Sequence, residues 1–240
     1  MKKVIIFTLA LGFALCSVQA QKKNTNKNTV NNRVPTALGT EADGTVKVTP
    51  LETIELPESF IGLDAPLMEA LKLRCTTREM TEEEIPMDLI SSLLWSAYGF
   101  NRPESHKRVA PSAVNVQEYD IYLFTKEGIY LYNAEKNAIL LTKKGDFRKE
   151  ISSQKFFAIA PISIVMVANY DRMQVFKTTE DRDFYAAVDA GYISQNIYLF
   201  CSSAQLATVA CGGINRDVIH KLLDIKNGRA MLAHPVGMKR

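Results

Sequence analysis

The chain has 240 residues, 47% of them apolar and 9% aromatic, the make-up of a globular protein and not of a disordered or fibrous one. Its 29 Lys and Arg stand against 26 Asp and Glu, which leaves no basic excess for neutralising phosphate backbones and excludes nucleic acid as the main partner. The length suits one domain with a substantial core, or two small ones.

Lys2 and Lys3 open a short positive segment, and residues 4–18 form an apolar run broken by Thr8, Gly12 and Ser17. Val18-Gln19-Ala20 ends it with the small residue that signal peptidase prefers before its cut. Residues 1–20 therefore read as a secretory signal, too short for a membrane-spanning stop; an uncleaved N-terminal anchor is the alternative. Cys16 does not fit lipoprotein processing, because Leu15 stands where Gly or Ala would be needed. Cleavage after Ala20 removes Lys2 and Lys3 and no acid, leaving 27 basic and 26 acidic side chains and a formal charge of +1. The expected location is outside the cytoplasm, in the periplasm. Residues 21–57 are polar and lack an apolar period, as a disordered tether would, so the folded domain is expected at 58–240.

Leu67, Leu71 and Leu73 begin a helical pattern. Pro86 opens a second helix, whose Ile90, Leu93, Leu94, Ala97 and Tyr98 recur at helical spacing. Strands follow at 119–124, 129–132 and 138–141, separated by short turns, which predicts a meander. Residues 162–168 form a continuous apolar run, as in a central strand covered on both faces. Residues 183–206 are apolar on almost every side and predict a buried helix, inside which Gln195 and Asn196 would need partners. A strand at 207–210, a short helix at 214–223 and a last strand at 230–233 complete the chain. Cys75, Cys201 and Cys211 are an odd, widely spaced set and make no disulfide framework. His106, His220 and His234 lack metal-ligand spacing and read as surface or loop residues.

Three stretches carry chemistry. Arg74, Thr76 and Arg78 put two guanidiniums and a hydroxyl close together, and guanidinium suits phosphate because its fork binds two oxygens at once. The loop Pro111-Ser112-Ala113-Val114-Asn115-Val116-Gln117 offers hydroxyl, amide and backbone groups to a flat ring with polar edges. Gly212 and Gly213 let a backbone N–H approach a ligand closely. Taken in order, these pieces resemble the FMN-dependent nitroreductase family from about residue 67 to residue 237. Residues 74–78 resemble its R-R-S-x-R element, with Cys75 in place of the second Arg and Thr76 in place of Ser. Pro111, Ser112, Ala113, Asn115 and Gln117 resemble its P-S-x-x-N-x-Q ring-contact loop. Gly212 and Gly213 resemble the turn that offers a backbone N–H to flavin N5. Pro235-Val236-Gly237 resembles the closing strand, with Lys239 and Arg240 where a phosphate-binding cation is common. Residues 92–99, 128–132 and 189–196 are similar to the azoline-oxidase-like dehydrogenases within that family.

The resemblance implies an α+β fold with a central mixed or antiparallel sheet, flanking helices and one long buried helix. It implies an FMN-dependent oxidoreductase that passes hydride through flavin N5 to a small-molecule substrate. It also implies a homodimer with FMN at the interface, the Arg element coming from one subunit and the Pro-Ser-Ala loop from the other. An Arg74 or Arg78 guanidinium near N1 and C2=O would stabilise the reduced flavin anion. A flavin carrier or sensor without turnover is the second reading. Export without a twin-arginine signal places the domain away from cytoplasmic NAD(P)H, so a quinone, a thiol or a small extracytoplasmic reductant is the expected donor.

Overall fold

The computed structural model describes residues 37–40, 46–49, 52–59 and 65–240. The signal peptide assigned to residues 1–20 lies outside the described residues, as does the tether segment 21–36. Strands β1 (Ala37–Thr40) and β2 (Val46–Thr49) pair antiparallel with each other. Strand β3 (Thr53–Glu55) pairs with residues 138–140 of the main sheet. The sheet therefore takes in part of the stretch read as tether: alternation at Thr53-Ile54-Glu55 is too short to register as a strand without its partner.

The remaining elements are helix α1 (Leu67–Leu73), helix α2 (Met87–Tyr98), strands β4 (Phe100–Arg102) and β5 (Lys107–Arg108), strands β6 (Tyr119–Phe124), β7 (Gly128–Asn133) and β8 (Ala138–Lys144), the short helix α3 (Phe156–Ile159), strand β9 (Ile162–Asn169), helix α4 (Thr179–Ser203), strand β10 (Leu206–Thr208), helix α5 (Arg216–Leu223) and strand β11 (Gly228–Met238). Seven strands form one sheet in the order β10-β11-β9-β6-β7-β8-β3. Every pairing in it is antiparallel.

The period of two along each strand sorts side chains onto the two faces. On β9, Ile162, Ile164, Met166 and Ala168 join Leu93, Leu94 and Ala97 of α2 and Ala190, Ile193 and Ile197 of α4 in one core. Val165 and Val167 face the other way, with Tyr122, Phe124, Phe157, Val209 and Ile219. That two-sided burial is why 162–168 reads as an unbroken apolar run. Pro86 sits at the N-cap of α2, one residue ahead of the first turn, where its missing N–H costs nothing. Strand β11 is much longer than the 230–233 expected; it carries a bulge between Ala230 and Leu232 and takes in residues 235–237.

The long helix expected near 183–206 is α4, capped by the Thr178 hydroxyl, which accepts from the Asp181 N–H. Its burial in the protomer is one-sided. Ala186, Ala190, Ile193, Ile197 and Cys201 are buried, but Phe184, Val188 and Tyr192 are 62%, 39% and 47% exposed. Those three recur at four-residue spacing and line one outer face. Gln195 is exposed and Asn196 half-buried, so neither needs a buried partner.

Candidate functional site

Three of the sequence-singled stretches meet at one end of the sheet. The segment after α1 runs along β10, with the Thr77 N–H donating to the Thr208 carbonyl (2.9 Å). The chain then meets the end of β11, where Met80 bridges Lys239, and the Thr81 N–H donates to the Met238 carbonyl (3.0 Å). Cys75 and Thr77 share a small hollow with Lys239, and the Arg240 N–H donates to the Glu79 carbonyl (3.5 Å). Arg78, Lys239 and Arg240 are exposed and Arg74 half-buried, and none of the four has an ion-pair partner among the described residues. Arg78 lies close enough to Cys211 to oppose the rise that burial causes in its thiol pKa. Gly212 and Gly213 follow Cys211. Their carbonyls are held by Arg216 (3.0 Å) and the Ser152 hydroxyl (2.8 Å), while their N–H groups have no partner among the described residues. Both glycines look into open space: a Cβ added at either would meet nothing closer than 3.7 Å.

Tyr198 of α4 ties these pieces together, and nothing in the sequence singles it out. Its phenol oxygen accepts from the Ala210 N–H (2.8 Å) and lies 3.0 Å from the Thr76 hydroxyl. The Arg74 guanidinium stands 5.2 Å from its ring centroid, in cation–π range. Its ring packs edge-on against His234, 5.2 Å between centroids. His234 is fully buried, not a surface or loop residue: β11 extends past Ala233 and turns it inward. Its ring nitrogens lie 2.8 Å from the Ser194 hydroxyl and 3.1 Å from the Thr208 hydroxyl. Burial pulls its pKa down to about 3, so it is neutral at ordinary pH. Below about 6.5 the unfolded chain takes up a proton that the folded chain refuses. His234 therefore lowers stability as pH falls from 6.5 toward 3.

The Pro-Ser-Ala loop lies elsewhere in the same chain. The Ala113 N–H donates to the Asp189 carboxylate (2.8 Å), which anchors the loop nine residues before Tyr198 on α4, about 14 Å along the helix axis. Much of its polar inventory is spent on itself. The Ser112 hydroxyl accepts from the Gln117 N–H (3.0 Å). The Gln117 carboxamide accepts from Arg108 (2.9 Å) and donates to the His106 carbonyl (2.7 Å) and to Asn115 (3.3 Å). Gln117 thus braces the loop, and Arg108 is in turn clasped between the Tyr98 and Phe100 rings at 4.1 and 4.3 Å. Val114, Asn115 and Gln117 all have positive φ (44°, 58° and 49°). For β-branched Val114, 73% exposed, that conformation is strained by about 1 kcal/mol or more. Val114→Asn, a residue that tolerates this region, is expected to raise the thermal midpoint by about 2–4 °C, read by calorimetry.

Beneath this loop lies a second feature that the sequence does not announce. Glu118 is completely buried beside Asp189, and among the described residues neither carboxylate oxygen has a hydrogen-bond partner of good geometry. Burial, reinforced by Asp189, raises its pKa to about 8, against the pull of Arg172. Burial also raises the Asp189 pKa, opposed by the Ala113 N–H. Glu118 therefore holds its proton at neutral pH, and an Asp189 oxygen accepts from the Ala113 N–H.

The nitroreductase family model matches residues 71–238. A Methanocaldococcus jannaschii protein assigned as a nitroreductase is 31% identical over 197 residues, 78% of this chain and 96% of its own length. This chain belongs to the nitroreductase family. A crystal structure of a Ralstonia eutropha protein assigned as a nitroreductase superposes with a TM-score of 0.74 at 33% identity, over 78% of this chain and 90% of that one. The NADPH:FMN oxidoreductase of Vibrio harveyi, complexed with NAD+, shares the fold, with a TM-score of 0.54 at 17% identity over 72% of this chain and 68% of that one. Family membership makes this chain an oxidoreductase by descent, and the antiparallel sheet with its long helix is the nitroreductase-like α+β fold. Cys75, Cys201 and Cys211 are free thiols, and no group of metal-ligating side chains occurs among the described residues.

Proposed function

We propose that this nitroreductase-family protein is an FMN-dependent oxidoreductase whose site is completed by two copies of the chain. The observation that supports this reading is the path of the 74–78 segment: Arg74 stands over the Tyr198 ring, Thr76 meets the Tyr198 phenol, and Arg78 lies near Cys211, next to the unpartnered N–H groups of Gly212 and Gly213. The residues fit the cofactor. Clustered, accessible guanidinium and ammonium groups suit a phosphate dianion, with the Thr76 hydroxyl as a further donor. The open glycine backbone suits the edge of a flat ring. Bound FMN supplies hydride exchange at its ring; the chain's part is to bind, orient and tune it. Arg74 or Arg78 would favour negative charge on the ring, and Gly212 or Gly213 would fix the ring edge.

Pro111, Ser112, Ala113 and Asn115 belong to a loop anchored at Asp189, nine residues before Tyr198 on α4; in this reading they reach the ring from the partner chain, and Gln117 would act by bracing them. A homodimer that pairs the exposed face of α4 brings each loop to the partner's cation cluster. Phe184, Val188 and Tyr192 supply the apolar surface for it. We read the chain with the azoline-oxidase-like dehydrogenases on residues 92–99 and 189–196, without carrying over their substrate. We further propose export by residues 1–20, which makes a quinone, a thiol or a small extracytoplasmic molecule the electron donor.

The test is the purified chain lacking residues 1–20, mixed with FMN. It is expected to be a yellow dimer holding one FMN per chain, reducible by a quinol or thiol. Phe184→Asp with Val188→Asp is expected to give a monomer that loses the flavin. Colourless protein that cannot be reconstituted overturns the cofactor, and yellow protein inert to every donor and acceptor favours a carrier. An intracellular protein with fast NAD(P)H turnover overturns the export and donor assignment.

A further inference from the structure

Resting on the FMN reading, we infer that Tyr198 is a positioning residue of the phosphate site, fixing the Thr76 hydroxyl as a proton donor to a bound phosphate. The direction of the hydrogen bonds carries the argument. The Ala210 N–H can only donate, so it occupies a lone pair of the Tyr198 oxygen (2.8 Å). The phenol proton is then free to point at the Thr76 oxygen, 3.0 Å away. A Thr76 oxygen that accepts this proton directs its own outward, into the space between Arg74 and Arg78. The chain Ala210 N–H, Tyr198 O–H, Thr76 O–H polarises in one direction, which strengthens its last donor.

The same ring sets position as well as direction. It stacks on the Arg74 guanidinium from one side and is backed by His234 on another. His234 cannot turn, because Ser194 and Thr208 hold both its nitrogens. Ala210 lies two residues before Gly212. A phenol is the smallest aromatic change from Phe that can make this hydrogen-bond relay, so Tyr198→Phe removes the relay while leaving the packing.

The experiment compares FMN with riboflavin, which has the same ring and no phosphate, by fluorescence titration of the full chain. Tyr198→Phe is expected to weaken FMN roughly 10-fold and leave riboflavin unchanged. Thr76→Ala should do the same, Thr76→Ser should retain affinity, and the double variant Thr76→Ala, Tyr198→Phe should lose no more than either single one. Equal losses for FMN and riboflavin, or additive losses in the double variant, overturn the positioning role. Should Tyr198→Phe fail to fold, the Thr76 pair still decides: Thr76→Ala indistinguishable from wild type overturns it. Wild-type chain that binds neither ligand overturns the FMN reading, and this inference with it.

Discussion

Glu118→Gln is expected to stabilise the protein, and the gain should grow with pH. In the unfolded chain this carboxyl ionises near 4.5; buried in the fold it holds its proton to about 8. Between those values the folded state binds the proton and the unfolded state does not. Stability contributed by this group is therefore intact below 4.5 and falls as pH rises toward 8, by up to about 1.4 kcal/mol per pH unit. The amide of Gln keeps the shape and has no charge to strand. Urea denaturation at a series of pH values should show the difference between the variant and the wild type widening over this window, to about 3–5 kcal/mol at pH 8. Asp189, Arg172, Tyr98 and Tyr119 surround the group, and both tyrosines titrate far above the window. A difference between variant and wild type that stays constant from pH 5 to 8 would overturn this account. His234 works from the opposite side, costing stability below 6.5, so two buried groups bracket the stability maximum.

Flavin retention should collapse when the cation cluster is thinned. Arg74→Ala and Arg78→Ala each remove a charge-assisted bond to phosphate worth roughly 1.5–3 kcal/mol, about 10- to 150-fold in affinity. Neither side chain has an ion-pair partner among the described residues; exposed Arg78 should shift the fold by no more than about 0.5 kcal/mol, and half-buried Arg74 by about 1 kcal/mol through its lost contact with the Tyr198 ring. Equilibrium dialysis of FMN, with the thermal midpoint as control, separates the two effects. Losses should shrink at high salt, where screening has already weakened the wild type. Retention unchanged in both variants would refute the phosphate role.

Much of the fold is legible in the sequence because its signals are local. Residues 119–124 are so rich in aromatic and apolar side chains that β6 matches them residue for residue, and Ile90, Leu93, Leu94, Ala97 and Tyr98 are all buried on α2. The site is legible only where a short motif carries it. Tyr198 lies within an apolar helix and gains its role from Thr76, 122 residues earlier. His234 looks like a loop histidine until β11 is extended past it. Glu118 looks like an ordinary acid beside a strand, and only the packing of α4 against β6 removes it from water. Each of these depends on contacts between distant parts of the chain, which no local period records. Gln117 is the converse case: its motif position suggests a ligand contact, and the hydrogen bonds of its side chain to Arg108, His106 and Asn115, invisible in the sequence, also make it a brace.

The segment that carries Arg74, Thr76 and Arg78 has a second consequence. Strand β10 is the last of its sheet, and an outermost strand offers unpaired backbone groups to any extended chain that meets it. At β10 that opportunity is small, because the strand is three residues long and the Thr77 N–H occupies the Thr208 carbonyl on its open side. The cation-bearing segment thus shields the sheet border, and its charges repel a second copy arriving in the same orientation. Deleting residues 74–78 should therefore turn a soluble protein into one prone to edge-to-edge aggregation, even where the remaining core is intact.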